Sequence, residues 1–95
     1  MMKATMYELS TTKQFRKSLK RFKNNKDVLQ ELAEITQILI TDTDIPKFYK
    51  DHELVGNMKG FRELHIRPDL LLIYQKHDDI LTLLLLNIGS HSELF

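Results

Sequence analysis

The run Ile80-Leu81-Thr82-Leu83-Leu84-Leu85-Leu86-Asn87-Ile88 is apolar at seven of its nine positions and leaves the fold little freedom. Neighbouring residues of a strand point to opposite faces, so neither face of this one can stay in water; it must lie inside a sheet. Nine residues are too few to cross a bilayer, which takes about 20 in a helix, and Thr82 and Asn87 interrupt the run. No membrane role is indicated.

The strands that flank it are sought upstream. Gly60-Phe61-Arg62-Glu63-Leu64-His65-Ile66-Arg67 alternates, with Leu64 and Ile66 on one face and Glu63, His65 and Arg67 on the other. Arg67-Pro68-Asp69-Leu70 has proline where it presets the second position of a tight turn, so Leu70 to Gln75 is predicted to return antiparallel. Lys76 to Asp79 makes the next reversal, and the apolar run from Ile80 to Ile88 follows.

In the N-terminal half, Met2 to Leu9 reads as a short first strand ending at Ser10-Thr11-Thr12, residues suited to a helix N-cap. From Thr12 to Lys23, the apolar Phe15, Leu19 and Phe22 recur at helical spacing. Lys13, Arg16, Lys17, Lys20, Arg21 and Lys23 fill the rest of that surface, which predicts a basic amphipathic helix. Asn24-Asn25 breaks the pattern and caps a second helix running to about Ile40, whose stripe is Val28, Leu29, Leu32, Ile35 and Leu39. Thr41 to Pro46 ends it, and Lys47 to Val55 has room for a short strand. The predicted order is β-α-α-β-β-β-β. That is an α+β fold with two N-terminal helices packed on one face of a small antiparallel β-sheet, leaving the other face open.

A chain of 95 residues, 42% hydrophobic and 28% charged, supports one core, so residues 1–95 are read as a single domain. It has no cysteine, which removes disulfides, thiolate nucleophiles and Cys-containing zinc sites and favours a cytoplasmic address. The net charge of +1 conceals a dipole: residues 1–26 carry eight basic side chains and one acidic (+7), the remainder six and twelve (−6). The basic end suits a polyanion or an acidic partner, although a charged helix face is commonly just a solvated one.

No nucleotide-binding loop, nucleophile elbow or His-Glu-x-x-His helix occurs, so the chemistry falls to the histidines. His77, beside a turn, reads as merely exposed. His65 stands out because Glu63 and Arg67 share its predicted face: the carboxylate can orient the imidazole and the guanidinium can hold a phosphate. The rival account is a surface ion pair beside a solvent-facing histidine.

Taken together, several motifs resemble the YafQ branch of the RelE/ParE toxin superfamily: Tyr49-Lys50-Asp51-His52-x-Leu54, Gly56, Lys59-Gly60-Phe61-Arg62-x-x-His65-x-x-Pro68-Asp69, Leu72-x-Tyr74 and Gly89-Ser90-His91-Ser92-x-Leu94-Phe95. The resemblance covers most of the chain and is strongest from Tyr49 to Tyr74 and in the tail. It implies a ribosome-dependent endoribonuclease that cuts mRNA during translation, held inactive by a cognate antitoxin with which a heterotetramer can form. It implies no cofactor. In that family the positions matching His52, His65, Asp69, His91 and Phe95 belong to the active site, and the position of Glu63 is usually an aspartate.

That activity needs a base for the 2′-hydroxyl that attacks the adjacent phosphorus, an acid for the leaving 5′-oxygen, and a cation for the charge that develops. On this reading His65 and His91 transfer protons in either order, His52 contacts the phosphate, and Asp69 orients an imidazole. Arg62 or Arg67 stabilises charge, with Arg67 preferred because alternation turns Arg62 away from His65. Phe95 stacks on a base or, more plainly, packs on the sheet. The basic residues of the first helix meet ribosomal RNA or the antitoxin. Two other readings compete: a non-catalytic binding module acting through the basic helices, and a metal site of His52, His65, Asp69 and His91.

Overall fold

The computed structural model describes residues 6–95. Its elements are β1 (Glu8–Thr11), α1 (Lys13–Leu19), α2 (Lys26–Ile40), β2 (His52–Glu53), β3 (Arg62–Arg67), β4 (Leu70–His77), β5 (Thr82–Gly89) and α3 (His91–Leu94). The order is the predicted one, with a short helix added in the tail.

Both helix starts are made by the residues expected to make them. Thr12 Oγ1 accepts from the Phe15 N–H at 2.9 Å and donates to the Leu86 carbonyl at 2.6 Å, so the cap of α1 is also its tie to β5. Asn25 Oδ1 accepts from the Val28 N–H at 3.2 Å and starts α2. The expected single helix over Thr12 to Lys23 tightens into a 3-10 turn at Lys20–Phe22. On α2, Val28, Leu32, Ile35 and Leu39 are buried against Leu64, Ile66, Leu72, Tyr74, Leu83, Leu85 and Ile88 of the sheet. Each such side chain contributes about 1.5–3 kcal/mol on leaving water.

The five strands lie in the order β1-β5-β4-β3-β2, which places the apolar β5 inside the sheet as its composition required. Strands β2 to β5 form an antiparallel meander, but β1 pairs with β5 in parallel, Glu8 opposite Thr82 and Thr11 opposite Leu85. The expected all-antiparallel sheet is therefore a mixed one. A hairpin fixes antiparallel neighbours, whereas β1 is separated from the meander by two helices, a connection long enough for a parallel return.

The expected first strand over Met2 to Leu9 lies partly outside the described residues; β1 begins at Glu8, and the Tyr7 N–H donates to the Ile40 carbonyl at the end of α2. At the other boundary, β5 starts at Thr82 and not at Ile80. Ile80 and Leu81 lie in the turn, 66% and 45% exposed, and Leu81 takes a left-handed conformation with φ 47°. A glycine would adopt that conformation at lower cost, which is why the reversal carries no sequence signature.

Candidate active site

On the sheet face opposite the helices, register decides which side chains meet. His52 on β2 pairs with Glu63 on β3, and His65 lies two residues further along the same strand. Glu63 Oε1 sits 3.4 Å from His52 Nε2 and 3.5 Å from His65 Nε2, and the two imidazole centroids are 6.3 Å apart. The Glu63 side chain is only 7% exposed, against 51% for His52 and 27% for His65. Both Nε2 atoms thus stand within ion-pair distance of a carboxylate largely withdrawn from water. His52 Nδ1 donates to the Lys50 carbonyl at 2.7 Å, so Nε2 is the nitrogen that faces Glu63.

The backbone beneath His52 is anchored from the helix side. Asp51 accepts from Arg62 Nη2 at 2.7 Å and from Arg62 Nε at 3.2 Å, and Tyr74 Oη donates to it as well. Burial, then the hydrogen bond to Asp51, pushes the Tyr74 phenol well above its ordinary range. The same carboxylate raises Arg62 further. Arg62 thus faces away from His65, as alternation predicted, and its charge is already matched.

Arg67 departs from expectation. A bulge between His65 and Arg67 leaves Ile66 as the extra residue, so Arg67 falls opposite the buried Leu70 and not on the face of Glu63 and His65. Its guanidinium reaches Glu31 of α2 at 3.6 Å, and it lines an edge pocket with His65. Asp69 lies in the hairpin turn beside Ser90 and Glu93. Among the described residues it makes no hydrogen bond to an imidazole, and the carboxylate beside the imidazole pair is Glu63. No group of three histidine, cysteine, aspartate or glutamate side chains among the described residues is arranged to hold a metal ion.

His91 opens α3 and Phe95 caps its end, their ring centroids 5.1 Å apart, with Phe95 half exposed. Ser90 caps this turn through the Glu93 N–H, while Glu93 accepts from the Ser90 N–H. The Ser90-x-x-Glu93 spacing is the sequence signal of this capping box. Arg21 holds the far side of α3 through an ion pair with Glu93. The fit is close at Gly89, where an added Cβ would stand 3.0 Å from Glu93 Oε1 and 3.3 Å from Arg21 Nη2. Arg21 is therefore spoken for, and Arg16 donates to the Thr11 carbonyl at 2.8 Å. Lys13, Lys17, Lys20 and Lys23 extend into solvent from the same segment.

The Arg21 hydrogen bond, followed by those from Ser90, lowers the Glu93 carboxyl from 4.5 to about 2. A depressed carboxyl adds stability that is complete above its unfolded value near 4.5 and is lost as pH falls from there through about 2. In Arg21→Gln the Glu93 titration midpoint, followed by carboxyl NMR, is expected to move back toward 4.5. A midpoint that stayed near 2 would assign the shift to Ser90 instead.

Residues 7–95 match the model of a family described as bacterial toxin of type II toxin-antitoxin system, YafQ. The mRNA interferase toxin YafQ of Escherichia coli strain K12 is 35% identical over 83 residues, which span 86% of this chain and 88% of that protein. A metal-bound toxin from Helicobacter pylori superposes with a TM-score of 0.87 at 44% identity, covering 95% of this chain and 100% of its own. YafQ in the E. coli DinJ-YafQ complex superposes at 0.82 with 31% identity, over 94% of this chain and 98% of its own.

Proposed function

The chain belongs to the YafQ family of bacterial toxins from type II toxin-antitoxin systems, and we propose accordingly that it is a ribosome-dependent endoribonuclease that cuts mRNA and so inhibits translation. The observation that carries this reading is the buried Glu63 carboxylate between two imidazoles, 3.4 and 3.5 Å away, on a sheet face free of the helices. That arrangement suits a reaction in which protons must leave one oxygen and arrive at another near neutral pH.

In the proposed reaction the substrate's 2′-oxygen bonds to the adjacent phosphorus as the bond to the 5′-oxygen breaks, giving a 2′,3′-cyclic phosphate and a 5′-hydroxyl. His65 and His91 serve as the base and acid. His52 contacts the phosphate, Glu63 orients both His52 and His65, and Phe95, stacked beside His91, takes a base. Arg67 at the rim is the cation for the phosphorane, Arg62 being bound to Asp51.

The partner on this reading is a cognate antitoxin, as in the E. coli DinJ-YafQ complex. The exposed Lys13, Lys17, Lys20 and Lys23 suit either its acidic residues or ribosomal RNA phosphates. Among the described residues no helix is long and apolar enough to cross a membrane. A cytoplasmic site of action, where ribosomes are, completes the proposal.

Purified protein stripped of transition metals is expected to cut mRNA on programmed ribosomes kept in magnesium, and to be silenced by its antitoxin. Intact mRNA after prolonged incubation would refute the reading. Cleavage that returned only when a transition metal was added back would overturn its metal-free chemistry.

A further inference from the structure

Strand β2 covers only Arg62 and Glu63 of β3, so among the described residues the rest of that edge has no strand beside it. There a pocket of about 280 Å³ opens, lined by Phe48, Lys50, His65, Ile66, Arg67 and Pro68. Its chemistry is mixed in a particular way. Phe48 presents a ring that is 71% exposed, although the buried Tyr49 lies beside it with centroids 4.5 Å apart. Two cations, Lys50 and Arg67, line the same space, and among the described residues the only carboxylate paired with either is Glu31, 3.6 Å from Arg67.

The wall is firmly built. The turn Lys47–Tyr49 is closed by Tyr49 N–H to the Pro46 carbonyl at 3.1 Å and Lys50 N–H to the Lys47 carbonyl at 3.0 Å. Lys50 then adopts a left-handed conformation, φ 52° and ψ 41°, and its carbonyl receives His52 Nδ1. Phe48 is thus held in register with the imidazole pair through the backbone. An exposed flat ring, two cations and one imidazole of the pair match a flat base joined to a phosphate, and they match no purely apolar or purely cationic ligand.

We infer that Phe48 is a base-stacking platform for a nucleotide of the substrate RNA, seated in this pocket with its phosphate between Lys50 and Arg67. This rests on the ribonuclease reading above. Nothing in the sequence pattern marks the residue, because an aromatic ahead of Tyr49 reads equally well as core.

Kinetics on programmed ribosomes test the platform. Stacking energies of the usual size predict that Phe48→Ala raises KM about 5- to 100-fold while kcat changes less, and that Phe48→Trp restores KM to near the wild-type value. An unchanged KM in Phe48→Ala, with folding verified by circular dichroism, would overturn the platform and leave the ribonuclease reading standing. If the wild-type protein cuts nothing, that reading fails instead, and a direct measurement decides the platform. The chain has no tryptophan, so Phe48→Trp carries a single indole fluorophore. Saturable quenching by a fully 2′-O-methylated single-stranded tetraribonucleotide supports stacking at this position, and its absence rules stacking out.

Discussion

Replacing His65 by alanine is expected to slow mRNA cleavage on programmed ribosomes by about 10²- to 10⁴-fold, the range associated with a positioned acid or base. The side chain is 27% exposed and lies outside the apolar core, so its removal opens no cavity there, although it takes one neighbour from the buried Glu63. The loss of rate should therefore far exceed any loss of stability, which the thermal midpoint measures. Glu63→Gln provides the graded comparison: the amide keeps the shape but takes the negative charge from between two imidazoles. A smaller loss of cleavage is expected there. A His65→Ala protein that cuts mRNA at the wild-type rate would exclude His65 from proton transfer.

The second large effect is on stability. Leu72 stands at the centre of β4, opposite Leu64 on one side and Ile88 on the other, and all three are 0% exposed. Leu72→Ala leaves a cavity that neighbouring strands cannot close, and about 2–5 kcal/mol should be lost. That is a large share of the roughly 5–15 kcal/mol that holds a typical domain together. Ile80→Ala, by contrast, touches a residue in the turn and should change stability by less than about 0.5 kcal/mol. Urea midpoints of the two variants measure the difference directly. A costly Ile80→Ala would return that residue to the strand and the core.

Much of this fold was legible because short-range chemistry wrote it. Asn25 caps α2, the spacing of Val28, Leu32, Ile35 and Leu39 aims its stripe, and Pro68 turns β3 into β4. What escaped depends on distances between elements. The parallel direction of β1 follows from where two helices return the chain, and no residue of Glu8–Thr11 encodes it. The bulge at Ile66 turns Arg67 off the predicted face, although alternation alone put it beside His65. Apolar character could not keep Ile80 and Leu81 in the strand, since the reversal needed them more.

The site divided along the same line. Alternation put Glu63 and His65 together, but that Glu63 is buried and shared with His52 depends on a two-residue strand too short to show any period. Asp69 follows the strand in the hairpin turn, whereas register sets Glu63 directly beside His52. Phe48 and Lys50 reach His65 only through the bend of the loop after Pro46.

The pairing of β1 with β5 also fixes an order of events. Glu8–Thr11 is made early, yet its neighbour Thr82–Gly89 comes more than 70 residues later, and α1 waits on the same strand because Thr12 bonds to Leu86. During synthesis the early segments are available first, but this sheet cannot close until β5 has left the exit tunnel. His91 and Phe95, at the start and the cap of α3, come later still. The cleft is therefore completed by the strand and the turn that the chain makes after its other elements.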